Sequence, residues 1–377
     1  MSVLRPGPAT SDVAPRDAIA QPGLPQTGPQ TGPQTGPLTG PLTGDEVLIV
    51  VPTLNEEQAI DACLRSLMAG DARLARADLV VADGGSRDGT RQIVARLAEK
   101  FPNIRLIDNP GRLQSAGINR AVETCARPGH RVLVRADAHA VYPPGYAMRA
   151  ADLLVEHGCA SVVVPMDSRG QGCFQRAAAW IVDTKLGSGG SAHRGGRVSA
   201  EVDHGHHAAM SLDWFRGVGG YDASFSHNED AELDHRLRQA GGRIWLASEL
   251  RLDYWMRPSA RALARQYWNY GRGRARTVRK HAMSPRLRQI APAVNLLLIL
   301  GGLLLAALGL VAGSPALLGL GLAWPLLYLA VLAGASAAMA LRHRSSCGLW
   351  AGPALAAMHL PWGAGFLTGL LRPQEGS

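Results

Sequence analysis

The C-terminal part of the chain restricts its folding more than any other feature. Residues 290–312 contain no charged side chain, and neither do residues 316–341. Across residues 290–371 the only Arg, Lys, Asp or Glu side chains are Arg342 and Arg344. An apolar helix of about 20 residues crosses the roughly 30 Å hydrocarbon layer of a bilayer. Spans are therefore expected at about 290–312, 316–341 and 347–371, the third, weakened by Pro353, His359 and Pro361, either crossing or lying partly in the interface. The first two form a hairpin turning at Gly313-Ser314-Pro315. Basic loops stay on the cytoplasmic side, so the cluster Arg342-His343-Arg344 sets the orientation. The chain reads as a multi-pass protein of the inner or plasma membrane.

The charge distribution agrees. The formal net charge is +9, yet after Asp253 the next acidic residue is Glu375. Residues 257–288 hold ten Arg and Lys and no acid. Arg257, Arg261 and Arg265 recur at helical spacing beside Leu263, Tyr267 and Trp268. Residues 254–289 thus read as a basic amphipathic segment on an anionic leaflet. The remainder, residues 1–253, nets −3. A nucleic-acid partner is excluded on that ground, since its binding domain would itself be basic. The five cysteines show no Cys-x-x-Cys spacing and read as free thiols of a reducing compartment.

Residues 1–44 repeat QTGP at 26–29, 30–33 and 34–37, followed by LTGP. Such a Pro/Gly/Thr repeat cannot bury a core and reads as a disordered tail, and residues 372–377 form a short tail at the other end. No apolar stretch precedes residue 47, so no secretory signal is expected. From Val47 onward, β-branched runs alternate with helical periodicity. VLIVVP, DLVVAD, IRLID and RVLVRAD are the strands; stretches after Asn55, Ser86 and Ser115 are the helices. This alternation predicts an α/β domain over residues 45–253, with a mixed, mostly parallel sheet and helices on both faces. Ligands of such sheets bind at the carboxyl ends of the strands.

Polar clusters fall at those ends. Pro52-Thr53-Leu54-Asn55-Glu56-Glu57 closes the first strand. Asp83-Gly84-Gly85-Ser86-Arg87-Asp88-Gly89-Thr90 closes the second, with glycines that let backbone approach a ligand. Asp83 is placed to accept hydrogen bonds from a base or ribose. Arg135-Ala136-Asp137-Ala138-His139 closes the fourth. Side chains at i and i+2 of an extended segment share a face, so Asp137 and His139 are candidate ligands for Mg²⁺ or Mn²⁺. Asn228 reads as an N-cap, placing Glu229 and Asp230 in a first helical turn. There the helix dipole favours ionised carboxylates.

Taken in order, PTLNEE, DGGSRDGT, GRLQSAGINRA, RADAH and VGGYDASFSHNEDAELDHRLRQAG resemble the motifs of the family-2 glycosyltransferases of the GT-A fold. The resemblance covers residues 47–280. Within the family the chain is most similar to bacterial exopolysaccharide enzymes of the succinoglycan type. It implies the nucleotide-diphospho-sugar transferase fold followed by transmembrane helices, with the catalytic domain cytoplasmic. It implies a UDP-sugar donor, UDP-glucose by this likeness, and a lipid-linked saccharide acceptor. Donor-binding residues would be Pro52, Asn55, Glu57, Asp83, Gly84, Arg112, Asn119, Asp137, Arg272 and Arg274. Asp230 would be the general base of an inverting displacement, with Glu229 beside it.

Two departures matter. Asp137-Ala138-His139 lacks the second Asp of the family's Asp-x-Asp. The Gln-x-x-Arg-Trp motif of processive synthases is replaced by Gln266-Tyr267-Trp268-Asn269-Tyr270, which favours addition of a single sugar. A polyprenyl-phosphate sugar synthase, a processive synthase and a membrane scaffold with a degenerate nucleotide-binding fold remain the alternatives.

Overall fold

The computed structural model describes residues 40–191 and 194–371. The expected N-terminal tail up to residue 39, His193 and the tail 372–377 lie outside the described residues.

The chain begins β1 (Val47–Thr53), α1 (Ile60–Leu67), β2 (Asp78–Asp83), α2 (Thr90–Lys100), β3 (Ile104–Asp108), α3 (Gln114–Cys125), β4 (Val132–Arg135), α4 (Tyr146–His157) and β5 (Ser161–Val164). β6 (Met166–Arg169), α5 (Cys173–Val182) and α6 (Lys185–Ser188) follow. Then come β7 (Ala200–Glu201), β8 (His206–Ser211), α7 (Leu212–Gly217), α8 (Glu229–Gln239), β9 (Ile244–Leu246) and β10 (Leu252–Trp255). Four long helices end the chain: α9 (Ala260–Lys280), α10 (Leu287–Val311), α11 (Pro315–Arg342) and α12 (Ala351–Leu371).

Packing divides the described residues into two units, 40–165 with 197–252, and 166–191 and 194–196 with 253–371. The first is built on an eight-stranded sheet of order β3-β2-β1-β4-β8-β5-β9-β7. β1 runs parallel to both β2 and β4, and β2 parallel to β3. β8 is antiparallel to β4 and β5. The sequence VLIVV explains why β1 is central. Val47, Ile49 and Val51 point into one apolar cluster with Ile60, Leu64, Val94 and Leu154. Leu48 and Val50 point into the opposite cluster with Ile118, Phe215 and Leu237. Alternation with both faces apolar demands helices on both sides. Gly70 ends the α1 region at φ +88°, where a Cβ would sit 2.4 Å from Pro144 Cβ. Only glycine lets the two loops meet there.

The strand order turns between β1 and β4, so the ends of β1, β2 and β4 open onto one crevice. Packing starts earlier than Val47: Leu42 is buried in the core and Glu46 caps back onto the Thr43 N–H at 2.8 Å. The continuous α/β domain expected over 45–253 is interrupted, because β6, α5 and α6 belong to the second unit.

In that second unit, Ala177, Ala178, Ile181 and Val182 of α5 pack with Ala354, Leu355 and Met358 of α12. Cys173 forms a disulfide with Cys347, 174 residues away. The expectation of five free thiols is thereby corrected; Cys63, Cys125 and Cys159 are free and buried. α9 packs against α12 along part of its length. Leu263 and Tyr267 join the same apolar cluster, and a Cβ on Gly365 of α12 would sit 2.2 Å from the Trp268 carbonyl oxygen. Glycines bring the two helices to backbone contact. Three helical stretches, Leu287–Val311, Pro315–Arg342 and Ser346–Leu371, are long and apolar enough to cross a membrane. The turn between the first two falls where expected, with Gly313 at φ +62° and Ser314 capping α11.

Candidate active site

The first two loops of the crevice brace one another. Asn55, in the left-handed region at φ +56°, donates its N–H to Ser86 Oγ at 2.8 Å and accepts the Arg87 N–H at 2.9 Å. Glu57 accepts the Gly89 N–H at 2.8 Å and donates its own N–H to Asp88 at 3.2 Å. Asp83 is fully engaged at the tip of β2. Its carboxylate accepts the Gly85 and Ser86 N–H groups at 3.1 Å, the Ser86 hydroxyl, and Arg91 Nη1 at 2.8 Å. Burial opposes its ionisation, but these donors outweigh burial and hold the carboxyl below its usual range.

These contacts engage four of the expected donor-binding residues, Asn55, Glu57, Asn119 and Asp83. Asn55 and Glu57 hold the loop pair in shape. Asn119 is spent on the backbone of Tyr221, donating to its carbonyl at 2.7 Å and accepting its N–H at 2.9 Å. Asp83 shapes the loop from below. Gly84 donates its N–H to the Thr53 carbonyl at 2.8 Å, and a Cβ there would lie 3.4 Å from the Arg112 backbone. Arg112 is exposed, at φ +59°, and Pro52 is half-buried at the end of β1. Arg272 and Arg274 are residues of α9 in the second unit.

Asp137 follows β4. Its carboxylate lies 3.4 Å from His206 Nε2 and 3.5 Å from Arg135 Nη2, and accepts from Gln114 Nε2 at 3.2 Å. Burial would raise it, but His206, Arg135 and His139 hold it at about 2. His139 itself is exposed, with Nδ1 3.4 Å from Glu56. His206, from β8, faces the Asp137 carboxylate directly, and the expected His139 acts on it through its charge. A carboxylate with an imidazole nitrogen on one oxygen suits Mn²⁺ or Mg²⁺ if a ligand supplies the remaining positions. Among the described residues, no group of three or more His, Cys, Asp and Glu side chains is set to hold a metal unaided. Asp137 and His206 therefore fit a cation that arrives with a diphosphate.

Glu229 and Asp230 open α8. Asn228 does occupy the N-cap position, in the left-handed region at φ +69°, but its side chain makes no capping hydrogen bond. Asp230 is held by other elements instead. Arg135 Nη1 donates to its carboxylate, Tyr221 Oη donates to it at 3.2 Å, and His207 Nδ1 lies 3.5 Å away. His207 in turn bridges Tyr221 Oη at 2.6 Å and Asp234 at 2.8 Å. His204 Nδ1 is 2.9 Å from the other Asp234 oxygen. Burial opposes ionisation of Asp230, yet Arg135 and His207 win and lower its pKa. For Glu229, burial and the Asp230 charge push the carboxyl up to about 7. Arg135, His206, His207, Tyr221 and Asp234 were not singled out for these roles from sequence. The signal was present in Arg135, a charged residue ending an otherwise apolar strand, which must find buried partners.

The site sets one half-buried carboxylate, Asp137, beside a candidate cation position and a second, Asp230, across the Arg135 guanidinium. Comparisons with known proteins identify the family. Residues 48–219 match the model of Glycosyl transferase family 2. The succinoglycan biosynthesis protein ExoA of Rhizobium meliloti (strain 1021) is 43% identical over 329 residues, covering 86% of this chain and 94% of that protein. The dolichyl N-acetyl-alpha-D-glucosaminyl phosphate 3-beta-D-2,3-diacetamido-2,3-dideoxy-beta-D-glucuronosyltransferase of Methanococcus voltae is 23% identical over 244 residues, covering 62% and 74%. Mannosyltransferase PcManGT from Pyrobaculum calidifontis, solved with GDP-Man and Mn²⁺, shares the fold. Its TM-score is 0.51 at 18% identity, over 88% of this chain and 90% of that one. The chain belongs to glycosyl transferase family 2 and is a glycosyltransferase.

Proposed function

We propose that the chain moves one sugar, glucose, from UDP-glucose to a lipid-linked saccharide with inversion at the anomeric carbon, in the building of an exopolysaccharide. The observation that carries this reading is the placement of Asp137 and Asp230 on the two arms of the buried Arg135 guanidinium. The likeness to ExoA over nearly its whole length supports the polysaccharide. The Methanococcus voltae relative, whose name describes a dolichyl phosphate-linked sugar and a beta linkage, supports the lipid-linked acceptor and inversion.

In this reading the acceptor hydroxyl attacks the anomeric carbon from the face opposite UDP. The new C–O bond forms as the bond to the diphosphate oxygen breaks, and the hydroxyl proton passes to Asp230. Tyr221 and His207 fix the Asp230 carboxylate, and Asp234 fixes His207. Arg135 keeps Asp230 ionised and lends positive charge to the region between the two carboxylates. Asp137 and His206 are the residues that would hold Mg²⁺ or Mn²⁺, which when bound neutralises the charge building on the departing diphosphate. The braced loops of Asn55, Asp83 and Glu57 keep the nucleotide end of the crevice in shape. Arg112, Gly84 and Pro52 remain its proposed donor contacts, with Arg272 and Arg274 proposed for phosphate.

A second reading gives the base role to Glu229, because a pKa of about 7 matches a base working at neutral pH. The two are separated by Asp230→Asn and Glu229→Gln assayed side by side. Loss of transfer in the first with retention in the second supports Asp230. The membrane reading places the three apolar helices across the inner membrane with the catalytic unit in the cytoplasm, on the strength of Arg342-His343-Arg344.

A further inference from the structure

Arg135 is buried and Arg194 half-buried, and their surroundings are opposite. Arg135 meets two carboxylates. Arg194, in the second unit, makes no ion pair among the described residues and is hydrogen-bonded to Tyr254. Its guanidinium lies over the Tyr254 ring, 4.4 Å from the centroid, and its Nη1 is buried without a hydrogen-bond partner. An isolated bridge between Met166 and Arg194 fixes its backbone against the end of β6.

The tyrosines around it are organised. Gln266 Nε2 donates to Tyr254 Oη at 2.7 Å and to Tyr270 Oη at 2.9 Å, and Tyr267 stands 5.7 Å from Tyr270 between ring centroids. Burial would raise the Tyr254 phenol, but the charges of Arg194 and Arg257 outweigh it and lower its pKa. The nearest acid is Asp183, beside Gly195, where a Cβ would sit 3.4 Å from its carboxyl carbon; it accepts from Ser168 Oγ at 3.1 Å and forms no ion pair with Arg194 among the described residues. Tyr254, Gln266 and Tyr270 are half-buried, so the cluster borders the surface of the unit that carries the apolar helices.

A cation packed on an aromatic face gains some stabilisation, but an unmatched buried donor with a full charge is costly and calls for an anion. A planar guanidinium with a spare N–H, flanked by phenol hydroxyls, is a phosphate-binding arrangement. We propose that Arg194, with Tyr254, Gln266 and Tyr270, binds the phosphoryl group of a lipid-linked saccharide acceptor. This rests on the lipid-linked acceptor proposed above. The site then holds the acceptor by its phosphate end, independently of which sugar it carries.

The test uses the full chain in phosphatidylcholine nanodiscs. Three probes are titrated: a polyprenyl diphosphate, inorganic pyrophosphate, and phosphatidylglycerol built into the disc. UDP is titrated as a check on the fold. The expected result is that Arg194→Gln weakens polyprenyl diphosphate binding about tenfold or more, the scale of a charged hydrogen bond. UDP affinity should be unchanged, and Arg194→Lys should restore part of the loss. In transfer assays Arg194→Gln should raise the acceptor KM and leave the KM for the UDP-sugar alone. Unchanged polyprenyl diphosphate affinity in Arg194→Gln, with UDP binding intact, overturns the proposal. So does a pyrophosphate or phosphatidylglycerol response as large as that of the polyprenyl diphosphate. If wild type transfers no sugar to a lipid-linked saccharide yet binds polyprenyl diphosphate through Arg194, the acceptor reading fails while the phosphate site stands.

Discussion

Glu229 and Asp230 are neighbours at the start of α8, and their carboxyls are driven in opposite directions. Burial and the adjacent charge raise Glu229 to about 7, while Arg135 and His207 overcome burial and lower Asp230. Two acids whose surroundings separate their pKa values are a mark of divided roles. Asp230 is ionised throughout the neutral range, and Glu229 exchanges its proton within it.

Asp230→Asn removes the proposed base and leaves the donor side untouched. Transfer should fall by on the order of 10²-fold or more, with UDP affinity kept. Steady-state rates and UDP titrations on the same preparation check this; near-normal transfer contradicts the role.

Glu229→Gln should act on stability in a pH-dependent way. The folded pKa of Glu229 lies above its unfolded value of 4.5, so the folded state holds this proton more tightly. Its contribution to stability is present below pH 4.5 and is lost as pH rises through about 7. A glutamine does not ionise, so the variant should melt higher than wild type at pH 8 and like wild type at pH 4. Melting curves at the two pH values provide the check. Transfer by Glu229→Gln should persist.

Asp137→Asn should abolish the part of UDP binding that depends on Mn²⁺. His206→Ala should do so more strongly than His139→Ala, because His206 faces the Asp137 carboxylate and His139 faces Glu56. Calorimetric titration of UDP with and without Mn²⁺ separates the three. An equal effect of the two histidines contradicts the geometry.

The disulfide makes a chemical prediction. Unfolded without reductant, the full chain should take up three equivalents of a maleimide, on Cys63, Cys125 and Cys159. Uptake of five contradicts the Cys173–Cys347 bond.

Much of the first unit was legible because its signals are local. The apolar run VLIVV names its own strand, and the glycines of DGGSRDGT name their loop. What was not legible depends on distance along the chain. Arg135 and Asp230 are 95 residues apart, His207 and Asp234 are 27 apart, and Cys173 and Cys347 are 174 apart. No spacing rule links such pairs. For the same reason the backbone partners of Asn55, Glu57 and Asn119, brought in by the fold, could not be read from the sequence. The packing of α9 against the glycine side of α12, about ninety residues further on, was hidden for the same reason.

The most direct measurement is the structure of the product. The full chain in proteoliposomes is given Mn²⁺, radiolabelled UDP-glucose and a lipid-linked saccharide, and the extracted lipid product is examined by thin-layer separation and anomer-specific glucosidases. The account predicts one added glucose, released by a β-glucosidase and not by an α-glucosidase. An α-linked sugar, or a ladder of many additions, would contradict it.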